Sequence, residues 1–149
     1  MNKRQGKTLR ADARMLVEQC AGWNSRLAAR RISQFLDREM AASGLTTAQL
    51  GLMALIAAAE DDTLGALALR AGLDQSTLSR NLRTLEAAGL VEIAAVEADL
   101  RRRAVWLTES GARRLEAALP LWRKAQERLT RHFPRHLIKQ LANAAEGLS

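Results

Sequence analysis

A mainly helical fold carrying one small β-hairpin is what this sequence predicts, on three observations. Alanine and leucine make up most of a 48% apolar fraction, while aromatic residues are 3% and prolines number two, which favours helix over sheet. Residues 74–86 place Leu78, Leu82 and Leu85 on one stripe at helical period, with polar side chains around it. Residues 90–96 are partly alternating and β-branched, 97–103 are a charged tip, and 104–107 return as a second strand. At 149 residues the chain fits one domain with its own core.

Taken in order, residues 1–8 read as a flexible basic arm. Residues 9–40 read as one long helix. Leu9, Ala13, Leu16, Cys20, Trp23 and Leu27 alternate at spacings of four and three, Ile32, Phe35, Leu36 and Met40 continue the apolar face, and Ser43-Gly44 ends it. Such a helix far exceeds the mean of ~11–12 residues, so part of its apolar face is expected to meet a second subunit. Thr46 and Gln49 fit a capping box for a helix running through Leu50, Leu52, Met53, Leu55 and Ile56 to about Ala59. A polar loop over 60–63 follows, with Thr63 capping a short helix at 64–71. Gly72-Leu73 joins it to the helix that Asp74 caps and Gly89 stops. Two helices across a tight glycine-containing turn are a helix-turn-helix, and the hairpin behind them makes it winged.

Thr108 then caps a second long helix, 109–132, with apolar Leu115, Leu119, Trp122, Ala125 and Leu129; Pro120 should bend it. Pro134 opens a final helix carrying Leu137, Ile138 and Leu141. The expected organisation is a single domain over 1–149, with dimerisation helices at 9–42 and 109–149 and the winged helix-turn-helix at 46–108.

Lys plus Arg number 23 against 16 acidic residues, giving +7 and a pI near 10.9, which favours a polyanionic partner. The reading helix carries Gln75, Ser76, Thr77, Arg80, Asn81, Arg83 and Thr84, donor-rich side chains of the kind that read base edges or hold phosphates. The bland alternative is a solvated helix face. Arg101, Arg102 and Arg103 cannot all face one way in a hairpin, and Arg103 is a candidate phosphate contact. No apolar run approaches the ~18–20 residues that span a bilayer, and no apolar segment follows the basic N-terminus as in a secretory signal. One cysteine forms no internal disulfide or cysteine-based zinc cluster. His132 and His136 have a metal-ligand spacing but no well-placed carboxylate beside them. With no glycine-rich phosphate loop and no nucleophile elbow, no catalytic site, metal or cofactor is expected.

The order Leu85-Glu86-Ala87-Ala88-Gly89-Leu90-Val91, then Asp99-Leu100-Arg101, Val105, Leu107-Thr108 and Gly111, resembles the MarR family of bacterial regulators, as does Gly44-Leu45-Thr46 with Gln49 at the third helix. The resemblance implies a sequence-specific transcriptional regulator, a repressor released by a small aromatic ligand. It would act as a cytoplasmic, nucleoid-associated homodimer on a pseudo-palindromic operator in double-stranded DNA. It places Arg101 in the minor groove, with Asp99 holding Arg101 or the turn. It also places an effector near Trp23, Arg26, Leu45, Met53 and Trp122, although the plainer reading of each is ordinary core. Cys20, loosely like the sensing cysteine of a peroxide-responsive branch, lacks the tyrosines of that mechanism, since the chain has none; on its seam position it should pack as a small apolar group. Competing readings are an architectural DNA-binding protein without effector and a helical protein-interaction module.

Overall fold

The structure, a computed structural model, describes residues 3–60, 63–96 and 99–148, and of these the side chains of all but 3–7, 96 and 99–102. Residues 1–35 and 36–149 form two compact units.

In the first unit, α1 (Lys3–Gln19) and the start of α2 (Ala21–Glu39) replace the single helix expected over 9–40. The break is at Cys20. Its carbonyl accepts the first bond of α2, from Asn24 N–H at 3.0 Å, while its Sγ accepts from the Trp23 amide at 3.4 Å, as an N-cap hydroxyl would. The Asn24 side-chain amide donates back to the Glu18 and Cys20 carbonyls at 3.0 and 3.1 Å. The half-buried thiol is therefore a helix cap and not a packed core group. Residues 3–8, expected as a flexible arm, are helical along the backbone; Lys, Arg and Gln are good helix formers. Leu9, Leu16 and Trp23, the anticipated seam, are all more than half exposed.

The second unit holds the core. α3 (Thr47–Ala57) starts on the expected capping box: Thr46 Oγ1 accepts from Gln49 N–H, and Gln49 Oε1 accepts from Thr46 N–H. Leu50, Leu52, Met53 and Ile56 of α3 are buried with Met40 and Leu45, against Leu67 of α4 (Leu64–Ala71) and Leu78, Leu82 and Leu85 of α5 (Gln75–Ala87). α6 (Glu109–Leu129) adds Leu115 and Ala118 and runs unbroken through Pro120. α7 (Arg135–Glu146) has no buried residue. Polar ties join separate parts of this unit, among them Arg128 with Glu39 at 2.6 Å and the Thr47 amide, which donates to Asp37 Oδ1 at 2.6 Å.

The hairpin is β1 (Val91–Val96) antiparallel to β2 (Asp99–Leu107), with Val91 opposite Leu107 and Ile93 opposite Val105, and a register irregularity between Ala95 and Val96. Val91 and Val105 point into the core, whereas Glu92 and Trp106 face out and are joined by a Trp106 Nε1–H bond to Glu92 Oε2 at 3.1 Å. Thr63 forms a bridge to Ala104, so β2 is flanked on both sides.

At the junction with α6, Thr108 donates from Oγ1 to the Gly89 carbonyl at 2.7 Å and from its amide to the Leu90 carbonyl at 3.1 Å. The same Oγ1 accepts from the Gly111 amide at 2.9 Å. Gly89 turns the chain with φ 68°, a conformation that favours glycine. Gly111 lies so near Leu90 that a Cβ there would sit 1.9 Å from the Leu90 carbonyl oxygen. No helix among the described residues is long and apolar enough to cross a membrane.

Candidate nucleic-acid interface

The start of α5 is organised by Asp74. Its Oδ1 accepts from Ser76 Oγ at 2.6 Å and from the Thr77 amide at 2.8 Å, and its Oδ2 accepts from Thr77 Oγ1 at 2.9 Å. These bonds, the Ser76 hydroxyl first, hold the Asp74 pKa down from 3.8 to about 2. The folded chain thus favours the ionised carboxylate more than the unfolded chain does. The contribution of the cap is whole above pH ~4 and is lost as pH falls through about 2. Melting curves taken downward from about pH 5 should show the parent losing stability in that window. Asp74→Ala should melt lower at neutral pH and change less across it; parallel curves would contradict the assignment.

Leu78, Leu82 and Leu85 pin α5 to the core, which turns Ser76, Arg80, Arg83 and Thr84 outward, all exposed. Neither Arg80 nor Arg83 has an acidic partner among the described residues. Ser76 and Thr77 commit their hydroxyl hydrogens to Asp74, and Thr84 donates to the Arg80 carbonyl at 3.2 Å. In this conformation those three offer a phosphate no hydroxyl donor, which leaves the outward charge to the two arginines.

The flanks of α5 differ. Gln75 and Ser79 face a concavity of about 450 Å³ that Thr63, Leu64, Gly65 and Arg103 also line. Asn81, half-buried, lies on the other flank in a groove of about 270 Å³ with Thr47, Ala48 and Gly51 of α3. Asn81, a candidate contact together with Arg80, lies about 100° around the helix from it. Ser79, which the sequence places one turn on from Gln75 and clear of the leucine stripe, shares the concavity that Gln75 lines.

Arg103 stands opposite Ala95 on the hairpin and is exposed. The side chains of Arg101 and Asp99 lie outside those described. Of the five residues expected around an effector, Leu45 and Met53 are packed in the core at 5% and 0% exposure. Trp122 is 38% exposed on α6, while Trp23 and Arg26 are exposed on α2 in the first unit. The described residues contain no cluster of His, Cys, Asp and Glu able to hold a metal.

The sequence pattern of the MarR family matches residues 43–102, which take in α3, α4, α5 and β1 and end within β2. No curated protein matches the chain. Among solved structures, the transcriptional regulator MosR of M. tuberculosis in complex with DNA is 37% identical, with a TM-score of 0.77 over 87% of this chain and 98% of that one. The repressor CouR bound to a 23-mer DNA duplex is 22% identical, with a TM-score of 0.74 over 89% of this chain and 94% of that one. PcaV of Streptomyces coelicolor, in complex with its natural ligand, is 19% identical with a TM-score of 0.74, covering 87% and 96% of the two chains.

Proposed function

The chain belongs to the MarR family, and on that premise we propose that it is a sequence-specific, DNA-binding transcriptional regulator that acts as a homodimer in the cytoplasm. The observation that carries this is the outward face of α5. Arg80 and Arg83 stand exposed and without acidic partners among the described residues, on a helix whose opposite side is locked into the core. A helix so presented fits the major groove, where arginine pairs bidentately with guanine. The hairpin beside it brings Arg103, and Arg101 by the family pattern, to the flanking backbone or minor groove.

Pairing of two chains is supported by apolar surface left open on α1 and α7. Leu9, Leu16, Leu137 and Leu141 are each about half exposed or more, and exposed apolar patches mark interaction sites. Two reading helices would then meet half-sites about one helical turn apart. Release by a small aromatic molecule is part of the same proposal.

Binding of duplexes selected from random sequence, measured across a salt series, tests the reading. Arg101→Ala and Arg103→Ala should each weaken binding at every sequence and reduce the log–log salt slope by about 1. A chain that sediments as a monomer and ignores duplex DNA at low salt would overturn the proposal. A specific-to-nonspecific affinity ratio near one would leave an architectural DNA-binding protein instead.

A further inference from the structure

The hydroxyls at the start of α5 all point one way. Ser76 Oγ lies 2.6 Å from Asp74 Oδ1, and Thr77 Oγ1 lies 2.9 Å from Asp74 Oδ2. Asp74 has its pKa held down to about 2, so at neutral pH its oxygens carry no hydrogen and only accept. Each contact must therefore use the hydroxyl's own hydrogen. A serine with its hydrogen so occupied has only lone pairs left to offer a ligand. Thr77 is half-buried, whereas Ser76 is exposed and stands one turn before Arg80 on the outward face of α5.

Duplex DNA limits what such a group can meet. Phosphate oxygens accept and do not donate, and the charged carboxylate beside Ser76 repels them. Guanine O6 and N7 and thymine O4 are acceptors as well. The donors of the major groove are the amino groups, N6 of adenine and N4 of cytosine. Reach agrees with this. The N-terminal residues of a reading helix are the ones that meet base edges, and serine, the shorter side chain, lies nearer that end than Arg80 does. One helical turn advances about 5.4 Å and stacked pairs are about 3.4 Å apart, so the two side chains address pairs one or two steps apart.

We propose that Ser76 is a specificity-determining residue of α5, which accepts a hydrogen bond from the amino group of an adenine or cytosine in the major groove. Asp74 is then a positioning residue: it fixes the direction of the hydroxyl without touching the base. A serine free to turn would donate as readily as accept, and would tell amino from keto bases poorly. This inference rests on the DNA-binding reading of α5 and deepens it, since it assigns the class of base that the first turn selects.

The test uses the full-length protein and a duplex selected from random sequence. In each half-site every adenine is replaced in turn by purine and every cytosine by 2-pyrimidinone, which removes the amino group alone. The parent should lose about threefold to tenfold in affinity at one base, within two pairs of the position that Arg80→Ala flattens. Ser76→Ala should bind the unmodified duplex more weakly by the same factor and be indifferent to the replacement there. Asp74→Gly retains a residue type accepted at an N-cap while it frees the serine hydroxyl. That variant should bind amino and keto bases at this position within about twofold of each other and keep its preferences elsewhere. Ratios between duplexes cancel the general gain from removing a negative charge. An amino-group dependence that survives Ser76→Ala would overturn the acceptor role and give the contact to Asp74 itself. Full amino preference in Asp74→Gly would overturn the positioning by Asp74. A parent that prefers its selected sequence yet ignores every amino group would sink this role alone, whereas a parent with no sequence preference would sink the reading of the head and this role with it.

Discussion

Replacing Gly111 by alanine is expected to cost about 3 kcal/mol or more of stability and to lower the melting temperature by about 6–12 °C. Over-packing of a core commonly costs ~1–3 kcal/mol because side chains can shift into other rotamers. Here the added methyl would meet the Leu90 carbonyl oxygen at 1.9 Å. That oxygen is backbone, and it already accepts the Thr108 amide at 3.1 Å. Relief requires the first turn of α6 to separate from the α5–β1 turn, breaking the Thr108 contacts that tie the head to α6. Gly51→Ala is the matched control. Gly51 lies inside α3 with nothing within 4 Å of an added Cβ, so the same change there should raise stability by about 0.5–1 kcal/mol. Thermal melts of the two variants beside the parent decide it. A Gly111→Ala protein melting within ~2 °C of the parent would show that α6 does not pack on Leu90 in this way.

Arg80→Ala is expected to erase discrimination at one base pair of each half-site, worth about 1–3 kcal/mol or roughly 5–150-fold per site. Arg80 stands on the outermost face of α5, and its guanidinium has no acidic partner among the described residues to leave. A bidentate pair with guanine would therefore form without breaking an ion pair. Affinities for a set of duplexes, each changed at one position of the selected site, give the readout. The parent should show a sharp minimum at one position per half-site, and the variant a flat line there with other positions unchanged. An equal loss at all sequences would assign Arg80 to phosphate.

Much of this fold was legible before any coordinates because its signals are short-range. A cap is read within three residues: Thr46 with Gln49, Asp74 with Thr77 and Thr108 with Gly111 were written in the chain, and all three caps form. A leucine stripe repeats every three or four residues, and Leu78, Leu82 and Leu85 are buried as a set. The hairpin was legible from its first, β-branched strand, but β2 begins at Asp99, so residues 99–103, expected in a charged tip, belong to the second strand. The long first helix misled for the same reason. Its apolar periodicity passes unbroken through Cys20, while the break depends on Asn24 turning its side-chain amide back onto carbonyls one to two turns earlier, a choice that periodicity does not encode.

The sequence alone determined the helices from α3 onward, which face of α5 is apolar, and that its polar remainder carries arginine. Only the tertiary structure decided that Ser79 and Gln75 share a concavity with Arg103, that Asn81 turns toward α3, and that Leu45 and Met53 are core. The same holds for the 1.9 Å approach that demands glycine at 111. Caps and periodicity act through backbone bonds and side chains within about one turn. Neighbours twenty or more residues apart are set by how whole elements pack, and no local pattern carries that.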